Sequence, residues 1–174
     1  MRADRRALTQ LLLVRDHGPP DAYLAAGFVR NRVWDAYYNP FKNVPEADVD
    51  VVYFCKENVS KSRDTVFESN LRTLDPSTNW QIRNQAHMHD YGGHEPFCSL
   101  AHALEHWSET ATAVGVRLDQ NGSMQFIAPF GLNDLSAHIL RITPVMKATD
   151  AKGFEFRIRK KNWLQRWPGV KVVR

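Results

Sequence analysis

Only two cysteines occur in the 174 residues, Cys55 and Cys98, with no Cys-x-x-Cys pair between them, so neither a disulfide framework nor a cysteine-based zinc fold is indicated. Both thiols are read as reduced. Long apolar runs are also missing: the longest, Leu11-Leu12-Leu13-Val14, is far too short to cross a bilayer and has arginines on both sides. The expectation is a cytoplasmic protein with no membrane segment. Repeats, low-complexity tracts and an internal linker are absent, which points to a single domain over residues 1–174. A chain of this length buries roughly 70% of the surface its unfolded form exposes, so it needs no metal or disulfide to fold.

The formal charge is +4, but it is unevenly spread: residues 152–174 hold eight basic side chains against the single acid Glu155. Such a segment suits RNA, a nucleoside triphosphate or an acidic partner, and it also suits a solvated helix face.

Along the chain, residues 5–16 carry Leu8, Leu11, Leu12 and Arg15 at helical spacing and stop at His17-Gly18-Pro19-Pro20. Residues 23–26 form a short strand that turns at Gly27 into a helix with Val29, Val33, Trp34 and Tyr37. Residues 39–47 read as a loop leading into an apolar strand over 48–54, and Cys55, next in the chain, reads as a small buried thiol of the same apolar stretch. Residues 60–74 read as a helix with Val66, Leu71 and Leu74 inward, and residues 80–85 as the next strand. A polar loop over 87–96 carries three histidines, and Ser99 caps a helix reaching Trp107. Residues 112–118 and 124–128 flank Asn121-Gly122, a strong hairpin signal. A short helix over 131–138 and a longer one over 154–167, closed by Pro168-Gly169, complete the pattern.

Within the strand over 48–54, Asp48-Val49-Asp50 stands out, because an apolar strand has no structural use for paired carboxylates. Alternate strand residues share a face, which puts the two about 6.6 Å apart along the chain. Bare, they repel and one tends to take up a proton; a hard divalent cation with oxygen ligands removes that cost and also binds phosphate. The alternative is that Asp48 ends a loop while Asp50 pairs with an arginine.

The order helix, strand, Gly27, helix, Asp-x-Asp strand, helix, strand resembles the nucleotidyltransferase superfamily typified by DNA polymerase beta. A closer resemblance, over nearly the whole chain, is to a small bacterial nucleotidyltransferase-like family. It is carried by Ala26-Gly27-Phe28-Val29-Arg30-Asn31-Arg32-Val33-Trp34-Asp35, by Asp48-Val49-Asp50-Val51-Val52-Tyr53-Phe54, by Asn84-Gln85-Ala86-His87-Met88-His89, and by residues 109–117, 128–135 and 161–168. The resemblance implies an α/β (α+β) nucleotidyltransferase fold: a mixed β-sheet flanked by helices, with a C-terminal hairpin and helix extension. It implies a turn at Gly27 and Phe28 facing a triphosphate, and Asp48 and Asp50 holding Mg2+, or Mn2+ in its place. The implied reaction is transfer of a nucleoside monophosphate from an NTP to an acceptor, a small molecule, RNA or protein, with release of pyrophosphate. The competing reading is a catalytically weak nucleotide- or RNA-binding module on the same fold, and a third is a regulatory partner protein.

Two departures bear on that choice. The superfamily turn has Gly-Ser or Gly-Gly where this chain has Gly27-Phe28, which makes Arg30 and Asn31 the substitute phosphate contacts. The superfamily also places a third carboxylate on the next strand, and residues 80–85 hold none. Each remaining candidate has a plain structural alternative. Arg30 either meets phosphate or pairs with Asp35. Trp34 and Tyr37 read as core rather than as a base-stacking platform. Asn84 is an oxygen ligand or a buried hydrogen-bonding residue. His87 and His89 alternate towards a nucleotide or are simply solvated. Glu109 supplies the missing carboxylate or a helix-end contact, and Arg117 meets phosphate or Asp119.

Overall fold

The computed structural model describes residues 4–38 and 48–174. The expected loop at 39–47 lies outside the described residues. The chain opens with α1 (Arg5–His17), whose amide at Ala7 is capped by the Asp4 carboxylate at 3.0 Å. Then follow β1 (Tyr23–Ala25), α2 (Gly27–Tyr38), β2 (Val49–Tyr53), α3 (Lys61–Leu74) and β3 (Trp80–Asn84). A 3-10 turn over Gln85–His87 leads into the short helices α4 (His89–Gly92) and α5 (Leu100–Glu105). The second half comprises β4 (Gly115–Leu118), β5 (Met124–Ile127), α6 (Asn133–Ser136), β6 (Ile139–Arg141), α7 (Pro144–Thr149), α8 (Ala151–Lys161), α9 (Trp163–Arg166) and β7 (Lys171–Val173).

The first five strands form one mixed sheet in the order β3-β2-β1-β4-β5; β2 and β3 run parallel and the other pairs antiparallel. β6 and β7 make a separate parallel pair. The hairpin expected at Asn121-Gly122 joins β4 to the sheet edge. Gly122 takes the left-handed conformation (φ +75°) that the turn needs, while Asp119 accepts the Asn121 and Ser123 amides.

One face of the sheet packs against α1, α2 and α3: Leu11, Phe28, Trp34, Val49, Val51, Leu71, Trp80 and Ile82 belong to one buried cluster. The opposite face is only partly covered. There Ala25, Val52, Leu100, Leu104 and Ala113 form a smaller cluster around α5. Because strand residues alternate, Val52 shares its face with Asp48 and Asp50. α5 thus roofs one end of that face and leaves the acids beside an open cleft.

The C-terminal segment closes the other wall by docking on α2. Trp34 and Trp167 meet edge to face with ring centroids 5.0 Å apart, and both indole N–H groups are satisfied: Trp34 donates to the Leu135 carbonyl (2.8 Å) and Trp167 to Asp35 (2.8 Å). Asp35 also accepts from Arg166 Nε at 2.9 Å.

Several expectations shift. Residues 154–167 are not one helix: Asn162 adopts the left-handed conformation (φ +50°) and separates α8 from α9. On α3 only Leu71 of the expected inward trio is buried; Val66 and Leu74 are exposed, and Asp64 takes the inward position because the Tyr53 hydroxyl donates to it at 2.7 Å. Tyr37 is exposed while Trp34 is buried. Cys55 lies just past β2, half-buried, with Arg63 Nη1 2.9 Å from its sulfur, and both cysteines are free thiols. The helix capped by Ser99 ends at Glu105 rather than Trp107. Among the described residues no helix is long and apolar enough to cross a membrane.

Leu71→Ala is expected to cost about 2–5 kcal/mol in chemical denaturation, whereas Val66→Ala on the same helix stays within about 0.5 kcal/mol. Equal losses would contradict the burial pattern of α3.

Candidate active site

The cleft has a volume of about 600 Å3 and is bounded by four parts of the chain. The β1–α2 turn supplies Ala26, Gly27, Arg30 and Asn31; β2 supplies Asp48 and Asp50. The strip after α5 contributes His106, Trp107, Ser108 and Thr112, and the α8–α9 segment contributes Arg157, Lys161, Trp163 and Arg166.

The turn is built tightly. Ala26 has a positive φ (+54°), a conformation that costs a non-glycine residue about 1–2 kcal/mol. Its carbonyl accepts the Val29 and Arg30 amides, while its own amide bonds to Val114 of the adjoining segment. The amides of Gly27 and Phe28 then begin the helix, where no intrahelical acceptor exists for them. Phe28 is fully buried, so the cleft is offered backbone rather than side chain at this point. A Cβ on Gly27 would meet only the Asn31 amide nitrogen closely, at 3.1 Å.

Asp48 and Asp50 line the cleft from adjacent same-face positions. Gln81 on β3, directly across from Asp50 in the strand register, donates to Asp48 Oδ2 at 3.1 Å. Burial, then the neighbouring Asp48, pushes the Asp50 carboxyl up to about 6, against the pull of Arg157, Arg30 and Lys161. Both carboxylates supply hard oxygen donors from one face, so the donor set suits a divalent ion such as Mg2+. No group of three or more His, Cys, Asp or Glu side chains gathers as a metal cage among the described residues.

Facing the acids is a guanidinium and indole cluster. Arg30 is buried rather than paired with Asp35: Nη1 donates to Thr112 Oγ1 (2.6 Å), Nη2 to Asn31 Oδ1 (2.9 Å), and its carbon lies 4.3 Å from the Trp163 ring centre. Burial pulls its guanidinium down to about 10, opposed by Glu109, so it stays charged at neutral pH. Arg157 sits 5.2 Å from the same ring and donates to the buried Glu109 at 2.8 Å. Arg157 and Lys161, four residues apart, share the cleft face of α8, whereas Arg159 and Lys160 do not line it.

The other sequence candidates fall elsewhere. Asn84 is fully engaged in structure: it accepts the Cys55 and Ala86 amides and donates to the Cys55 and Asn58 carbonyls. His87 is buried, not solvated, with Nε2 3.8 Å from Asp64, and lines a different hollow with Lys61 and Tyr91. His89 bonds to the Ala86 carbonyl and lies beside Asp90. Glu109 is under the cleft wall rather than in it. Arg117 pairs with Asp21 and Gln125, not Asp119, beside a hollow at the far end of β4. The cleft residues that sequence reasoning did not single out are His106, Trp107, Ser108, Thr112, Arg157, Lys161, Trp163 and Arg166. Only the cationic bias of residues 152–174 hinted at any of them.

A mixed sheet whose helix-starting glycine turn and paired aspartates share a cleft with clustered cations is the architecture of a nucleotidyltransferase domain. The chain belongs to the nucleotidyltransferase family, whose sequence model matches residues 13–172. A solution structure described as a CCA-adding enzyme head domain is 31% identical, with a TM-score of 0.84, over 98% of this chain and 91% of that one. A CCA-adding enzyme in complex with CTP is 16% identical with a TM-score of 0.66, and the match covers 99% of this chain and 41% of the enzyme. The Thermotoga maritima CCA-adding enzyme complexed with tRNA is 15% identical with a TM-score of 0.64, over 98% and 40% of the two chains. The present chain thus spans about two fifths of these enzymes. No curated protein matches it.

The raised Asp50 carboxyl has a stability consequence. Its ionisation opposes folding, so its favourable contribution is intact below pH about 4 and is lost as pH rises through about 6. In chelator-treated protein, Asp50→Asn is expected to raise the Tm by about 5 °C at pH 8 and to leave it nearly unchanged at pH 4. A lower Tm at pH 8 would show that Asp50 is held by favourable contacts instead.

Proposed function

We propose that the protein transfers a nucleoside monophosphate from a nucleoside triphosphate to an acceptor hydroxyl, with release of pyrophosphate and in dependence on a divalent cation. The observation that carries this reading is the placement of Asp48 and Asp50 against Arg30, Arg157 and Lys161 across one cleft at the start of α2. Asp48 and Asp50 would hold Mg2+, or Mn2+ in its place. Bound there, such an ion supplies charge neutralisation on the triphosphate and a lower pKa for the attacking hydroxyl. The Gly27 and Phe28 amides receive phosphate oxygens at the positive end of α2. Arg30, Arg157 and Lys161 offset the charge that builds on the departing pyrophosphate. Bond making to the α-phosphorus and bond breaking to the bridging oxygen then proceed in line. Membership of the family and the likeness to CCA-adding enzymes, one of them binding CTP, support an NTP substrate.

A second reading, a nucleotide- or RNA-binding module with little turnover, draws on β3, which carries no carboxylate and sets the Gln81 amide against Asp48. Pyrophosphate release with Mg2+ and each NTP, over a panel of small-molecule, RNA and protein acceptors, separates the two. Turnover should fall at least about 100-fold in Asp50→Asn and stay within about twofold in Lys160→Ala. Binding without turnover across the panel would favour the module. Gly27→Val is expected to raise KM for the NTP about tenfold with a smaller change in kcat, because its branched side chain occupies the space where backbone meets phosphate.

A further inference from the structure

Glu109 has no place in the chemistry above, yet it is the most deeply buried carboxylate beside the cleft, with a side chain 0% exposed. It stands in a place where simple electrostatics disfavours it: a negative charge beneath a surface that has to attract polyphosphate. Its setting explains the anomaly. One carboxylate oxygen accepts Arg157 Nε at 2.8 Å; the other has no hydrogen-bond partner among the described residues, and neither has the buried Nε of Arg30. Arg157 and Arg30 approach the same indole, Trp163, from centroid distances of 5.2 and 4.3 Å, so two like charges crowd one ring. Such a pair needs an anion between its members to stay aligned.

The backbone around Glu109 is fixed for the task. Its carbonyl accepts the amides of Thr112 and Ala113 at 3.0 and 2.9 Å, and the residue bridges to Ile142 on the other side. The same turn presents Thr112, whose hydroxyl takes Arg30 Nη1 at 2.6 Å. One rigid turn therefore addresses both guanidiniums. With its Nε engaged by Glu109, Arg157 has two terminal nitrogens that find no hydrogen-bond partner among the described residues and are free to meet a ligand in the cleft.

We propose that Glu109 is a positioning residue that aims Arg157, and with it Arg30, at the phosphate chain of the bound nucleotide, so that it raises polyphosphate affinity despite its own negative charge. The inference rests on the nucleotide-binding reading of the cleft.

The sign of one substitution tests it. Inorganic tripolyphosphate, which carries neither base nor acceptor, is titrated calorimetrically into wild type, Glu109→Gln, Arg157→Ala and the double variant, with the Tm of each measured alongside. Removing a negative charge should by Coulomb's law alone tighten the anion. A positioning role predicts the reverse: Glu109→Gln binds at least about fivefold more weakly, and the double variant no more weakly than Arg157→Ala. Unchanged or tighter binding by Glu109→Gln, or losses that simply multiply in the double variant, would overturn the proposal and leave the nucleotide-binding reading standing. Wild type that binds neither tripolyphosphate nor any NTP overturns both. Should Glu109→Gln fail to fold, Glu109→Asp carries the test, because it keeps the charge and leaves Arg157 intact but draws the carboxylate back from Arg157 Nε: a comparable loss supports the proposal, and wild-type affinity sinks it.

Discussion

The docking of the C-terminal segment on α2 through Trp34, Trp163 and Trp167 is the contact on which the site depends. Each indole plays two parts. Trp34 and Trp167 close against each other while their N–H groups tie down Leu135 and Asp35, and Trp163 offers a ring face to Arg30 and Arg157. Without that packing, α8 has no fixed relation to β2, and Arg157 and Lys161 have no reason to face Asp48 and Asp50. Aromatic faces let guanidiniums be buried at modest cost, which a purely aliphatic wall does not.

The resulting cleft separates charge by element. β2 brings two carboxylates, one held partly protonated near neutrality by burial, while α2 and α8 bring the cations. A nucleotide fits such a division because it carries its negative charge at one end and accepts a cation along it. Glu109 is an anion placed behind these cations, buried and bonded to Arg157 Nε.

Much of this plan could be read along the chain. Period-two alternation put Asp48 and Asp50 on one face, Gly27 marked the strand-to-helix turn, and Asn121-Gly122 located the hairpin. What escaped did so for physical reasons. The inward face of α3 was misjudged because apolar spacing at Val66 and Leu74 competes with a hydrogen bond from Tyr53 to Asp64 that no local pattern announces. The break at Asn162 sits inside a run that is helical by composition, and it rests on one residue in the left-handed conformation, after which Trp163 and Trp167 are buried. Eight cations near the C-terminus were visible, but that Arg157 and Lys161 are the ones on α8 that line the cleft follows from the rotation of α8 about its axis. The pairing of β6 with β7 joins three-residue strands separated by 29 residues, too short and too far apart to leave a periodic signal.

That long-range closure gives the protein a history as well as a shape. The hydrogen bonds from Arg166 and Trp167 to Asp35 span 131 and 132 positions, among the widest loops in the molecule. Bringing such distant partners together is entropically the slowest kind of contact to make. During synthesis the strand with both acids leaves the ribosome about a hundred residues ahead of Arg157 and Lys161. The nascent sheet therefore passes through a stage in which its acidic pair lacks the α8 cations, and the cleft is among the last parts of the molecule to be completed.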